Sequence, residues 1–226
     1  MALKANEIKK HVIGGADVKR APAPLYVGEH DGEMWATNRY WLTRAERVAP
    51  LLEQYNLSAS EPGGFEVNGT VRRATGAHQI SPQPPNFDAF MRSQRDYAPG
   101  VPVRVAGQQA YTRHERFGLY AAYILADGSY AGLNADTLEW LSDTMTAPLP
   151  EQEDGTYLRY GDLRVSFHRA AQGGITAMVS AEVIHVIERS RYTDKVEGEK
   201  QEYVPAVEEA CEPRVLGIMM GMNYGA

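Results

Sequence analysis

Six histidines, at positions 11, 30, 78, 114, 168 and 185, and one cysteine, Cys211, are the side chains best suited to acid–base, nucleophilic or metal chemistry. Their spacing argues against such use. No histidine falls in an HExxH pattern, and no His/Cys group has ligand spacing, so no metal site is expected. His114-Glu115 and His30-Asp31 are adjacent pairs, and neighbours on a strand point to opposite faces. A hydrolase built on the His114/Glu115 region is the enzymatic alternative these pairs offer. Cys211 sits among Glu208, Glu209 and Glu212, whose charges disfavour a thiolate, which makes it a poor nucleophile. The phosphate-cradling GxxxxGKS/T, the dinucleotide GxGxxG and the nucleophile elbow GxSxG are all missing from the sequence. No catalytic site and no cofactor are expected.

What stands out instead is apolar. Trp35, Tyr40 and Trp41 lie close together around an expected hairpin, and residues 217–224 (GIMMGMNY) hold three methionines in four positions. Unbranched thioethers can repack around different partners, so such a run can line an adaptable groove. A core strand is the commoner use of the same composition.

The elements that would position these residues are mostly strands. Asp31-Gly32, Asn68-Gly69, Asp127-Gly128 and Gly161-Asp162 each separate apolar, strand-like runs and predict antiparallel hairpins. Helices are fewer. Leu3–Ile13 is predicted helical, ended by Gly14-Gly15. Thr43 and Glu46 have capping-box spacing for a helix through about Tyr55, with Pro50 kinking it or delaying its start. Asn134 is a predicted N-cap for Ala135–Met145, with Leu133 and Leu138 at staple positions and Leu138, Leu141 and Met145 on one face. Phe87–Arg95 is a further helical candidate. Asp96–Gly107 reads as a linker or crossing strand between two units, 1–98 and 99–226. Acidic residues crowd 194–212, which reads as an exposed loop inside an insertion at about 190–213. The class is α+β, with antiparallel sheets and a few helices on one face.

Composition bounds the function. The 226 residues carry 23 Lys+Arg and 29 Asp+Glu, a net charge of −6, with 43% hydrophobic residues. These are globular values, and the length allows one large domain or two small ones. The apolar run at residues 215–222 is far shorter than the roughly 20 residues of a membrane helix, and the N-terminus lacks a signal-like apolar stretch. A cytoplasmic protein with no membrane partner is expected. The charge is divided: residues 1–100 carry 12 basic and 11 acidic side chains (+1), and 101–226 carry 11 and 18 (−7). Lys4, Lys9, Lys10, Lys19 and Arg20 open the chain, so a basic surface could still meet a polyanion.

Four stretches, read in order, resemble a DNA sliding clamp of the bacterial beta-clamp and PCNA kind. Residues 36–42 (ATNRYWL) are similar to the clamp motif ATDGHRL, and residues 85–90 (PNFDAF) to FPDYxxV at the junction of two clamp domains. Residues 132–141 (GLNADTLEWL) resemble the strand-to-helix entry GFNxxYLxDxL, and residues 218–224 (IMMGMNY) the terminal VVMPMRL. Asn38, Arg39 and Tyr40 stand where the first motif has DGH, and Gly221 replaces the proline of the last.

This resemblance implies two clamp-like domains per chain, a homotrimeric ring around double-stranded DNA, and tethering of a DNA polymerase or other replication protein. It implies DNA contact through Lys4, Lys9, Lys10, Lys19 and Arg20. It also implies a partner-peptide pocket formed by Thr37, Arg39, Tyr40, Trp41, Leu42, Pro85, Phe90, Met220 and Met222. The alternative is a clamp-fold interaction module or regulator of replication that does not encircle DNA. A compact clamp of this sort would suit a bacteriophage.

Overall fold

The computed structural model describes residues 23–38, 40–54, 58–67, 78–81, 102–103, 105–114, 118–153, 155–169, 174–194 and 201–224. In chain order the strands are β1 (Ala23–His30), β2 (Glu33–Thr37), β3 (Trp41–Arg44), β4 (Gly63–Val67), β5 (His78–Ser81), β6 (Pro102–Val103) and β7 (Val105–His114). Then come β8 (Gly118–Leu125), β9 (Tyr130–Asn134), β10 (Tyr157–Arg169), β11 (Ile175–Glu188), β12 (Arg191–Tyr192), β13 (Tyr203–Val204) and β14 (Val207–Tyr224). Helix α1 spans Ala49–Gln54 and α2 spans Ala135–Ser142, with 3-10 turns at Ala45–Val48 and Thr144–Thr146. The described fold is thus mostly antiparallel sheet with two short helices, an α+β arrangement.

Twelve strands share one hydrogen-bonded network in the order β5-β4-β1-β2-β3-β14-β11-β10-β6, with β9, β8 and β7 branching from β14. The long strand β14 is the seam. One edge pairs with β11 from Val207 to Gly221, while the other pairs with β3 at Gly217–Met219 and then with β9 at Met222–Tyr224. The small ribbon β12–β13 stands apart from this network.

Two of the predicted hairpins form on the residues that favour them. Asp31 (φ 52°) and Gly32 (φ 77°) both take left-handed backbone, which matches the strand twist of a tight turn between β1 and β2. At the β8–β9 turn Gly128 (φ 81°) donates to Leu125 O at 2.9 Å, and Asp127 accepts from the Ser129 backbone and hydroxyl. Gly161-Asp162 is a correction: these residues do not turn the chain. They lie inside β10 as a bulge, where the register against β11 slips between Tyr160 and Leu163. A Cβ at Gly161 would come within 3.0 Å of Ile184 Cδ1, so glycine there serves close packing. Asn68-Gly69 lies outside the described residues.

The helix expectations divide in the same way. Asn134 caps α2, accepting from Thr137 N at 2.8 Å. The helix stops at Ser142 rather than Met145, because Asp143 accepts from Met145 N and opens a 3-10 turn instead. Met145 therefore leaves the apolar face and is 70% exposed. The capping box at Thr43 does not form: Thr43 belongs to β3 and its hydroxyl donates to Leu216 O at 2.7 Å. Helix α1 starts at Ala49, with Pro50 in its first turn, where a missing N–H costs nothing. Leu3–Ile13 and Phe87–Arg95 lie outside the described residues. Of the Asp96–Gly107 stretch, Pro102–Val103 forms β6 and pairs with β10. The acidic stretch is also corrected in part, since Val207–Glu212 is the first third of β14 and not a loop.

The core draws on strands and helices together. Leu25, Val27 and Trp41 meet Val48, Leu51, Leu52, Leu133, Trp140, Leu141, Phe167, Ile175 and Val179 in one buried cluster. Each such side chain taken from water contributes about 1.5–3 kcal/mol. At its centre is a charge. Arg47 is 2% exposed and donates to the carbonyls of Trp140, Leu141, Asp143 and Leu216 at 2.7–3.2 Å, and to Thr146 Oγ1. It therefore closes the C-terminus of α2, where unpaired carbonyls concentrate negative potential, and ties it to β14. Burial lowers the guanidinium to about 10, with Asp143 opposing, so it stays charged at neutral pH.

Candidate partner-binding site

The site grows from the turn between β2 and β3. The Asn38 side chain accepts from the backbone N–H groups of Tyr40 (2.9 Å) and Trp41 (3.2 Å), forming an Asx-type turn. Thr37 reinforces it by donating its hydroxyl to the Trp41 carbonyl. The Tyr40 carbonyl then accepts from Met220 N at 2.8 Å, which carries the β3–β14 ladder into the turn.

Cross-strand partners point to one face of a sheet, so the registers assign each side chain its side. Thr37 pairs with Leu42, Leu42 with Ile218, and Ile218 with Met178. Met220 follows Ile218 by two residues and shares its face. Tyr26, Trp35, Leu42 and Ile218 pack together there as a second, smaller cluster. Trp41 takes the opposite face with Met219 and Ala177. Its ring is 3% exposed and meets Trp140 edge-on at 5.2 Å between centroids, inside the main core.

Of the residues singled out in the sequence, Thr37, Leu42 and Met220 therefore share one face. Tyr40 and Met220 are its open part, 72% and 54% exposed, while Thr37 and Leu42 are buried beneath. Met222 stands at the β14 position opposite Gly132 of β9. Arg39, Pro85 and Phe90 lie outside the described residues, as do Lys4, Lys9, Lys10, Lys19 and Arg20. Ile218, not among the expected pocket residues, shares this face, and its period-two spacing from Met220 is the signal for it. The methionine run thus divides: Met219 belongs to the core and Met220 to the surface.

Arg44 pairs with Glu33 and lies over the Trp35 ring, 5.0 Å from its centroid. Ser166 and His168, on the same face of β10, are 3.2 Å apart. An open cleft of about 680 Å³ lies beyond the far end of β3, lined by residues including Met34, Arg44, Glu46, Glu53 and Arg214. It contains none of the pocket or DNA-contact residues expected from the sequence, and Arg214 there is held by Glu46 at 3.4 Å. Among the described residues no group of three or more His, Cys, Asp or Glu is placed to hold a metal ion. No helix among them is long and apolar enough to cross a membrane.

Compared with known proteins, the chain matches no family model, no curated protein and no solved structure.

Proposed function

We propose that this chain is a sliding-clamp-like processivity factor, non-enzymatic and cytoplasmic, with two clamp-like domains. In this reading it encircles DNA as a homotrimer and tethers a polymerase or another replication protein through an apolar peptide pocket. The observation that supports it is a convergence on β14. Residues 36–42, 132–141 and 218–224, which resemble the clamp separately, are brought together by this strand, which pairs with both β3 and β9. Ile218 and Met220, lying over the buried Leu42 and with Tyr40 at the rim, then offer apolar anchorage for a short extended peptide.

A ring needs diffuse attraction to phosphates without base readout, a demand that the basic side chains at residues 4–20 can meet. Light scattering tests the architecture: a ring of this kind has a mass near three times 25.0 kDa. It is retained on nicked circular DNA and released on linearisation, and charge reversal at Lys9 and Lys10 lowers that retention at low salt. A monomer with no retention refutes the ring. A second reading, a clamp-fold module that regulates replication without encircling DNA, is favoured by one feature. Helix α2 exposes Asp136 and Glu139 and carries no basic residue, which suits a DNA-facing wall poorly.

A further inference from the structure

We propose that the outer third of β14, Val207–Glu212, is a docking edge that accepts an extended, lysine- or arginine-bearing segment of a partner protein as an added strand. This stretch pairs with β11 on one side, from Glu188↔Val207 to Val183↔Cys211. On the other side no described strand pairs with it: β3 joins only from Gly217 onward, and β9 only from Met222. Residues 207–213 are all exposed. An open strand edge of this length presents a row of unpaired N–H and C=O groups, the template for strand addition.

The side chains on this edge select the occupant. Glu208 is held by Arg159, with contacts of 3.2 and 2.7 Å, so it is already neutralised. Glu209 and Glu212 have no ion-pair partner among the described residues and remain available to cations. Between them Ala210 and Cys211 are small, which lets another backbone approach closely. Val207 and Ile187 are exposed beside it and offer apolar contact for the stems of long basic side chains. The same carboxylates disfavour the other occupants. A second copy would set like charges against each other across the new ladder, and a nucleic acid would bring phosphate to glutamate. Pro213 and the slip of register beyond Cys211 end the edge on that side.

The test uses the full chain with a synthetic eight-residue peptide of alternating lysine and valine, and the same peptide with proline at two central valines. The expected result is saturable binding of the first peptide, slowed amide exchange confined to residues 207–212, and at least tenfold weaker binding of the proline peptide. The double variant Glu209→Lys/Glu212→Lys, both positions being exposed, should keep the native circular dichroism spectrum and lose at least tenfold in affinity. Equal binding of both peptides shows charge attraction without strand pairing and overturns the proposal. So does undiminished binding by the double variant, protection elsewhere in the chain, no binding at all, or self-association through this edge. The inference is independent of the clamp reading, because it needs neither a ring nor DNA retention.

Discussion

The Arg47 guanidinium lies 5.3 Å from the centroid of the Trp140 ring and also donates to the Trp140 carbonyl at 2.7 Å. Two residues 93 positions apart are thereby fixed to each other through both the side chain and the backbone of the second. The same cation reaches Leu216 O at 3.0 Å, so β14 is fixed to the same point.

Replacing Arg47 should be among the costliest changes in the chain. Arg47→Met leaves the carbonyls of Trp140, Leu141, Asp143 and Leu216 without this donor, a loss of about 3 kcal/mol or more. Arg47→Lys keeps the charge but cannot span the same fork of acceptors, so it should fall between. Urea denaturation midpoints measure both, and an unchanged midpoint for the Met variant would refute the role.

Gly217 has ordinary backbone but no room. A Cβ there would sit 2.6 Å from Leu141 Cδ2 and 2.9 Å from the Leu42 carbonyl oxygen. The second contact is with backbone, which cannot rotate away. Gly217→Ala should therefore destabilise by about 1–3 kcal/mol, read as a lower thermal midpoint.

Trp41 and its neighbours on the open face should separate cleanly. Trp41→Ala empties a buried site against Trp140 and should cost about 3–5 kcal/mol. Tyr40→Ala and Met220→Ala change exposed side chains and should move stability by only about 0.5 kcal/mol. Under the proposed function both weaken capture of a partner peptide, measurable by fluorescence anisotropy. Unaltered capture by both would remove this face as the pocket.

Acid should loosen the β8–β9 turn. Hydrogen bonds from Ser129, and then the Arg169 cation, hold the Asp127 carboxyl below its usual 3.8. Its folded value is depressed, so its contribution is present above pH 3.8 and is lost as pH falls through the lower folded value. Asp127→Asn should therefore differ from the native chain near neutrality and converge with it in strong acid. NMR shifts of the Ser129 amide follow this directly. A difference that persists below the folded value would show that charge is not the cause.

Much of the fold is legible in the sequence where a local choice decides the outcome. Asp31-Gly32 and Asn134 act through their own backbone and side chain, so their signals survive folding. Gly161-Asp162 carries the same dipeptide chemistry, yet there the close packing against Ile184 and Glu182 decides, and those residues are about twenty positions away. The acidic start of β14 resembles a loop because a solvated edge strand needs no apolar alternation. Arg47 gives no warning at all: nothing in its neighbourhood marks it as buried, since every acceptor except Thr43 lies more than ninety residues away. Of the candidate site, resemblance points to Thr37, Leu42 and Met220. Only strand register separates them from Trp41, which faces the other way.

The position of β14 as a shared neighbour also sets the order of events during synthesis. The β3 strand leaves the ribosome some 170 residues before its partner exists, as the Thr43–Leu216 contact illustrates. Until then the first hairpins have an open flank and Arg47 lacks its Leu216 acceptor. Non-local closure of this kind is slow, because loop entropy must be overcome before any contact rewards it. Nascent chains should therefore remain sensitive to protease until residues 207–224 have emerged, and then become resistant in a single step.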